Sequence, residues 1–305
     1  MYRRIITLIL IFSLGLTVLG CGSEDVPADR FSFDEPGPAK EKVIIGRVPS
    51  ETIIQLLREI EPLIKIIEQQ ADVDVQFKFA TNYAEIISGM NEGCYDLAFL
   101  GPLAYIDYTR NTKKINYEPI LKPVRYGNSY YRSIIFTYKN SGIKNISDLK
   151  GKRIAFVDET SASGYLFPTA TLLKEGINPH QDMEKVDFLY RHNLVVNAVY
   201  EKKYEAGAVY KDARPAALET DEDPDTALPV IAETDRIPSE PTVIKNSFAR
   251  NNPQLAKKIT TIMLNLEETT DGQRILKELG IDRYVEAGKE DYLPLSEIIA
   301  VLENL

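Results

Sequence analysis

The chain has 305 residues, of which 44% are hydrophobic, 27% charged and 9% aromatic. At about 150 residues per domain this composition is typical of a globular protein of roughly two domains, and it excludes disordered, collagenous and coiled-coil classes. The net charge of -9 excludes nucleic acid as a partner, because such a field repels phosphate backbones. Two cysteines and two histidines leave too few soft ligands for a zinc site, so we predict no metal and no cofactor.

The first 20 residues have the layout of an export signal. Arg3 and Arg4 precede an apolar run over residues 5–19, which is shorter than the roughly 20 residues of a membrane-spanning helix. The run ends in VLGC, which resembles the lipobox of bacterial lipoproteins. That resemblance implies removal of residues 1–20 and lipid attachment at Cys21. The alternative is a simple secretory peptide followed by an incidental cysteine.

Residues 21–40 are predicted to be a flexible linker. After Cys21 the sequence GSEDVPADRFSFDEPGPAK is rich in proline, glycine and acidic residues and has no periodicity. Each buried methylene of an acyl chain contributes about 0.8 kcal/mol, so several chains would anchor the protein stably. We therefore expect an exported protein that is held at a bacterial membrane by its lipid and faces the periplasm or the cell exterior.

The chain then alternates strand and helix patterns, which is typical of a βαβ-built α/β protein. Ser50 is a plausible N-cap for a first helix, which Pro62 is expected to kink or split. Thr81 is predicted to cap a helix over residues 82–90. Apolar runs predict strands over residues 43–48, 73–79 and 96–100, and spacings of three and four predict a first-helix apolar face of Ile53, Leu57, Ile60, Ile64 and Ile67.

A second α/β unit follows in the sequence. Helices are predicted over residues 164–174, closed by Gly176, and over residues 193–200. Residues 219–225 are predicted to form an acidic loop, and the chain is mainly helical from Asn252 onward. Extended segments are predicted over residues 131–138, 153–157, 186–190, 206–210 and 237–245.

Three segments together resemble the substrate-binding proteins of phosphate, phosphite and phosphonate ABC transporters. They read TNYAEIISGMNEGCYDLAFLGPLAY (81–105), GKRIAFVDETSASGYLFP (151–168) and HNLVVNAVYEKKYEAGAVY (192–210). The resemblance implies a type II periplasmic binding protein, in which two α/β lobes are joined by two crossing strands. It implies a discontinuous lobe one over residues 41–131 plus 237–305 and a lobe two over residues 132–236, with the crossings in segments 131–138 and 237–245.

The resemblance also implies a function. The protein is expected to be a monomeric solute-binding lipoprotein that captures phosphate, phosphite or a phosphonate between its lobes and delivers it to an ABC permease. We expect that the protein is not an enzyme, because the sequence has no GxSxG, HExxH or Walker lysine pattern. A sensory lipoprotein of the same fold, which reports ligand occupancy to a membrane receptor kinase or cyclase, stays open as an alternative.

The strongest candidate for an anion site is a tract of small residues between a predicted strand and a predicted helix. Ser161, Ala162, Ser163 and Gly164 there expose backbone amides at a helix N-terminus, which attracts an oxyanion. The alternative is that a serine of this tract only caps the helix. In the family the tract usually reads Ser-Thr-Ser-Gly, so Ala162 removes one hydroxyl group but keeps its amide.

Three further residues are candidates for the site, and two of them, His192 and Tyr83, match positions of the family. His192 would donate to a ligand oxygen or respond to the ligand's protonation state, and its alternative role is structural. Tyr83 is a candidate phenol donor from lobe one, with core packing as the alternative. Gly101 would let a ligand approach the backbone, although a Gly-Pro pair also simply forms a turn.

Two positions depart from the family pattern, and Arg47 near the first of them is a further candidate. Ser50 follows Pro49 where many members have tyrosine, and Tyr210 stands where phosphonate-binding members have an acidic residue, which argues against an aminoalkyl ligand. Arg47 would favour a larger or more highly charged anion if it points into the cleft, and its alternative is a solvated strand end. The tyrosines Tyr126, Tyr130 and Tyr131, beside Arg125 and Arg132, are predicted either to line the cleft or to pack between the lobes.

Overall fold

The computed structural model describes residues 40–48, 53–112, 116–218 and 220–303. The leader, most of the linker with Cys21, and the loop that contains Pro49 and Ser50 therefore lie outside the described residues. The strands are β1 (Glu41–Arg47), β2 (Val73–Phe79), β3 (Leu97–Phe99), β4 (Tyr117–Val124), β5 (Tyr130–Tyr131), β6 (Ser133–Thr137), β7 (Arg153–Phe156), β8 (Lys185–Phe188), β9 (Ala206–Tyr210), β10 (Val230–Glu233), β11 (Ile237–Pro238), β12 (Thr242–Lys245) and β13 (Arg283–Glu286).

The α-helices flank these strands. They are α1 (Ile53–Ala71), α2 (Tyr83–Glu92), α3 (Pro102–Asn111), α4 (Phe167–Lys174), α5 (Pro179–Asp182), α6 (His192–Tyr200), α7 (Ala213–Ala217), α8 (Pro224–Ala227), α9 (Asn246–Asn251), α10 (Pro253–Leu264), α11 (Thr270–Glu278) and α12 (Leu293–Glu303).

Two sheets form the centres of two α/β lobes. The first sheet has the order β13-β4-β12-β3-β1-β2, and the second has the order β10-β6-β9-β7-β8. In the first, β1 runs parallel to β2 and β3, and in the second, β7 runs parallel to β8 and β9. Parallel strands need helical crossovers, which cover their faces and bury apolar runs such as β9. The predicted α/β class is confirmed.

The lobes are joined by two short crossing strands. Strand β5 pairs with β11 in the antiparallel direction, with Tyr131 opposite Ile237 and Tyr130 opposite Pro238. Immediately beyond this pair, β6 enters the second sheet and β12 enters the first. The predicted extended segments 131–138 and 237–245 are thus each divided between a crossing strand and a sheet strand. The lobe boundaries at 131–132 and 236–237 stay a proposal.

Helix α1 differs from the prediction in two respects. Pro62 does not split it, because the carbonyl of Arg58, which loses its amide donor, lies on the exposed side where water can replace the bond. The predicted apolar face is also wrong in part, since Leu57 is 43% exposed. The buried positions among the described side chains of the helix are Leu56, Ile60, Leu63, Ile67 and Ala71.

The cap of α2 is shifted by one residue from the predicted Thr81. Asn82 is the N-cap and its side chain accepts a hydrogen bond from the Glu85 amide. Glu85 in turn accepts from the amide and the hydroxyl group of Thr81. Both residues therefore stabilise the start of this helix, which puts Tyr83 in its first turn.

Candidate functional site

A cavity of about 670 Å³ lies between the two lobes. It is lined at the carboxyl ends of the parallel strands, where open α/β sheets bind ligands. The structure brings eight of the ten predicted ligand-binding residues to its wall, whereas Gly164 does not line it and Ser50 lies outside the described residues. The eight are Arg47, Tyr83, Gly101, Ser161, Ala162, Ser163, His192 and Tyr210.

The Ser161 tract forms a single π-type turn over Ala162–Leu166 that continues into α4. Ser161 is extended and caps the turn, since its Oγ accepts from the Gly164 amide at 3.0 Å. The amide of Leu166 reaches back to the Ser161 carbonyl at 3.1 Å, which is the wider spacing of a π-turn. Serine capping and a cavity position therefore coexist in this tract.

Gly164 serves packing within this turn. A Cβ atom added to it would lie 2.4 Å from Cβ of Val157, at the end of the neighbouring strand. Only glycine allows the turn to approach the strand this closely. Because its amide already donates to Ser161, Gly164 offers the cavity neither a side chain nor a spare backbone donor.

The amides of Ala162 and Ser163 have no acceptor among the described residues. Both residues are buried, at 2% and 3% exposure, and both line the cavity. A buried N–H group without an acceptor costs about as much free energy as a lost hydrogen bond. An oxyanion in the cavity would supply the missing acceptor.

Among the described residues, the N-termini of several helical elements meet at the cavity. The first turns that line it begin at Tyr83 in α2, Pro102 in α3, Ala162 in the π-turn and His192 in α6. Each N-terminus carries a partial positive charge and free backbone donors, which favour an anion. Two of these helices, α2 and α3, belong to the first sheet's lobe and the other two elements to the second.

His192 is a neutral donor in this arrangement. Burial lowers its pKa to about 3, and Glu240 opposes this shift. The amide of Tyr210 donates to Nδ1 at 3.4 Å, and the Tyr210 ring meets the imidazole edge to face at 4.7 Å. With Nδ1 accepting, the single proton of the neutral ring is at Nε2. Near neutral pH the imidazole is therefore suited to donating rather than to sensing protonation.

Tyr83 and Gly101 lie side by side on the opposite wall. Tyr83 is 3% exposed, and a Cβ atom on Gly101 would be 3.4 Å from its ring. Gly101 is also the N-cap of α3, and its carbonyl accepts from the Tyr105 amide. The Gly-Pro pair thus both begins a helix and brings backbone to the cavity.

Arg47 lines the cavity but has a carboxylate partner, since its Nη2 lies 3.6 Å from Glu59. Tyr126, Tyr130, Tyr131, Arg125 and Arg132 also line it, as one of the two alternatives predicts. Burial raises the pKa of the Tyr131 phenol and the nearby Ser163 side chain opposes this rise, so the crossing strand lies next to the anion tract.

Glu240 is one of the cavity residues that sequence reasoning missed. It follows the crossing strand β11 and accepts a hydrogen bond from Arg125 at 2.8 Å. Burial acts to raise the pKa of this carboxyl, but the Arg125 guanidinium, a backbone hydrogen bond and Arg47 together hold the pKa below its usual range. The only local signal is an acidic residue at the end of a crossing strand.

Within the described ranges, no group of three or more His, Cys, Asp or Glu side chains is placed to hold a metal ion. None of the helices in these ranges combines the length and the apolar composition of a membrane span.

Two lobes on separate sheets, two crossing strands and a cavity at the strand ends define a two-lobed solute-binding protein of the periplasmic type. The model of the periplasmic substrate-binding proteins of phosphonate ABC transporters matches residues 45–292. The chain belongs to this family. It is therefore an extracytoplasmic substrate-binding component that delivers its ligand to an ABC transporter, which agrees with the transport prediction and not with the sensory alternative.

Individual relatives give the same result. The phosphate-import protein of Mycolicibacterium smegmatis is 32% identical over 165 residues, which cover 54% of this chain and only 50% of that protein. A probable ABC transporter phosphite-binding protein of Prochlorococcus marinus is 24% identical over 87% of this chain and 92% of its own length. The solved structure of PhnD1 from P. marinus in complex with methylphosphonate superposes on this chain with a TM-score of 0.78 at 21% identity. The superposition covers 87% of this chain and 99% of that one. This last likeness confirms the fold.

Proposed function

We propose that the protein captures a phosphorus oxyanion, namely phosphate, phosphite or a phosphonate, in the cavity between its lobes. The observation that carries this proposal is the pair of buried amides at Ala162 and Ser163 without acceptors. The printed names of relatives, which refer to phosphate import, phosphite binding and phosphonate binding, support the same ligand class. In this proposal a monomer binds its ligand without changing it chemically.

The proposed contacts come from both lobes. The amides of Ala162 and Ser163, the hydroxyl groups of Ser161 and Ser163, Nε2 of His192 and the Tyr83 phenol would surround the oxyanion. Tyr210 contributes indirectly, because its amide orients the imidazole. Hydrogen bonds to a charged group contribute roughly 1.5 to 3 kcal/mol each, so four or five of them supply roughly 6 to 15 kcal/mol before ordering costs, a range that includes the approximately 8 kcal/mol of micromolar binding.

Thermal unfolding of the purified protein tests this proposal. We expect phosphate, phosphite or methylphosphonate to raise the unfolding temperature increasingly with concentration, because a ligand at 100 times its Kd adds about 2.7 kcal/mol to the free energy of unfolding. Isothermal titration calorimetry should give one site per chain. If none of the three ligands changes the unfolding temperature, the oxyanion assignment is wrong.

We also propose that a lipid on Cys21 holds the protein at the membrane after residues 1–20 are removed. The lipobox-like VLGC sequence and the extracytoplasmic family support this step. The several acyl chains of a bacterial lipoprotein suffice for stable anchoring.

Replacement of Cys21 by serine should release the protein from the membrane fraction and abolish labelling with radioactive palmitate. Cell fractionation and metabolic labelling measure the two effects. The matched control is Cys94→Ser, which removes the other cysteine and should retain both properties. Palmitate labelling that survives in the Cys21→Ser variant would contradict the assignment.

A further inference from the structure

The cavity is larger than a small oxyanion needs. Its volume of about 670 Å³ falls within the range of roughly 300 to 1,000 Å³ of sites that enclose drug-sized ligands. The volume persists although the lobes already touch, because α3 packs against the Ala162–Leu166 turn. Space therefore remains beside an oxyanion bound at Ala162 and Ser163.

Part of the cavity wall is formed by a group that we call the polar wall, namely Arg47, Glu59, Arg125, Glu240 and Tyr284. Four of these side chains form two ion pairs, Arg47 with Glu59 at 3.6 Å and Arg125 with Glu240 at 2.8 Å. Their side chains remain 20% to 39% exposed while they line the cavity, so both pairs are accessible to a ligand.

The charges of the two ion pairs influence the same neighbouring groups, Tyr284 and Glu240. Burial raises the pKa of Tyr284 to about 12, and Arg47 and Arg125 both oppose this rise. Arg47 also lowers the pKa of Glu240, the partner of Arg125. The polar wall thus presents two positive and two negative charges, together with the Tyr284 phenol, to the same cavity.

This charge balance selects the chemistry of a substituent. A carboxylate would be attracted by the arginines but repelled by Glu59 and Glu240, and an ammonium group would meet the reverse. Either would have to separate an existing ion pair, which is costly where both charges are partly buried. A hydroxyl group both donates and accepts, so it can add bonds to each pair without displacing a partner.

We infer that the ligand is a phosphorus oxyanion with a neutral, hydroxylated organic substituent that lies against the polar wall. This inference rests on the proposed function and specifies its ligand. In this arrangement the helical N-termini bind the phosphoryl oxygens, and Arg125 and Glu240 bind the substituent hydroxyl groups.

A matched series of phosphate monoesters tests the inference by calorimetry. Methyl phosphate has no polar substituent, phosphoglycolate adds a carboxylate, phosphoethanolamine adds an ammonium group and glycerol phosphate adds hydroxyl groups. We expect glycerol phosphate to bind on the order of 10-fold or more tighter than each of the others, because one or two additional charge-assisted hydrogen bonds suffice for that ratio. Equal or tighter binding of any of the other three esters would overturn the inference.

Two double variants assign the effect to the polar wall. Arg125→Met with Glu240→Gln, and separately Arg47→Met with Glu59→Gln, should each reduce the ratio of the affinity for glycerol phosphate to that for methyl phosphate by several-fold. The control is Lys139→Met with Glu222→Gln, which removes an ion pair outside the cavity. A preference for glycerol phosphate that survives in both cavity variants would overturn the inference. If one variant does not fold, the other variant and the wild-type ester series still test the inference.

The outcome also separates this inference from the proposed function. If no phosphorus oxyanion binds, the proposed function fails and the inference fails with it. If methyl phosphate or methylphosphonate binds and hydroxyl groups add nothing, the oxyanion site stands and only the inference fails.

Discussion

Replacement of Ala162 by proline should weaken oxyanion binding by about 10- to 100-fold and leave the fold intact. Proline removes the Ala162 N–H, and a hydrogen bond to a charged acceptor contributes roughly 1.5 to 3 kcal/mol. The position suits proline, because Ala162 is the first residue of its turn and Ser161 before it is extended, with ψ 120°. Calorimetry with phosphate or methylphosphonate measures the affinity, and thermal unfolding without ligand checks the fold.

Two substitutions at the same position separate the loss of the amide from added bulk. Ala162→Val has nearly the volume of proline but keeps the N–H, so it should lose less affinity. Ala162→Ser restores a hydroxyl group and should bind at least as tightly as the wild type. Proline and valine variants with equal affinity would show that the amide does not contact the ligand.

Replacement of His192 by glutamine should make the free energy of unfolding less dependent on pH below about pH 6.5. Burial lowers the pKa of His192 to about 3, whereas an unfolded histidine titrates near 6.5. As the pH falls below about 6.5, His192 becomes protonated in the unfolded chain, whereas in the folded chain it stays neutral until near pH 3. The contribution of the neutral buried ring to the free energy of unfolding is therefore fully present above about pH 6.5. It decreases as the pH falls, by up to about 1.4 kcal/mol per pH unit.

Urea denaturation of both proteins between pH 7 and pH 4 measures this difference, and subtraction removes the contribution of the carboxyl groups that they share. We expect His192→Gln to lose the slope between about pH 6.5 and pH 4. The control is His180→Gln, which replaces an exposed histidine whose ring lies against the Tyr165 hydroxyl and should keep the slope. Parallel curves for the wild type and His192→Gln would show that the ring is not buried in its neutral form.

Periodicity predicted the α/β class and most strands because buried parallel strands are continuous apolar runs. It failed at β4, where Pro119, Pro123 and charged residues interrupt the run and the strand is completed by pairing with β12 and β13. It also gave an incorrect face for α1, since Leu57 and Leu56 are equally apolar and only packing against the sheet decides between them.

The site was predictable where the chemistry is local. A strand, small residues and a helix in sequence place Ala162 and Ser163 at a helix N-terminus without any knowledge of the fold. Glu240 was not predictable, because it acquires its partner Arg125 only when two crossing strands bring together residues 115 positions apart. The assignment of individual side chains to ligand contacts stays a prediction until binding is measured.

The crossing strands have a further consequence for the order in which the protein folds. Strand β12 lies between β3 and β4 in the first sheet, yet its residues follow the whole of the second sheet in the chain. A chain that emerges N-terminus first therefore leaves β3 and β4 without their shared neighbour until residues 242–245 arrive. The second sheet uses one contiguous stretch, and its loops close at lower entropic cost. We expect it to form first and the lobe that begins the chain to finish last.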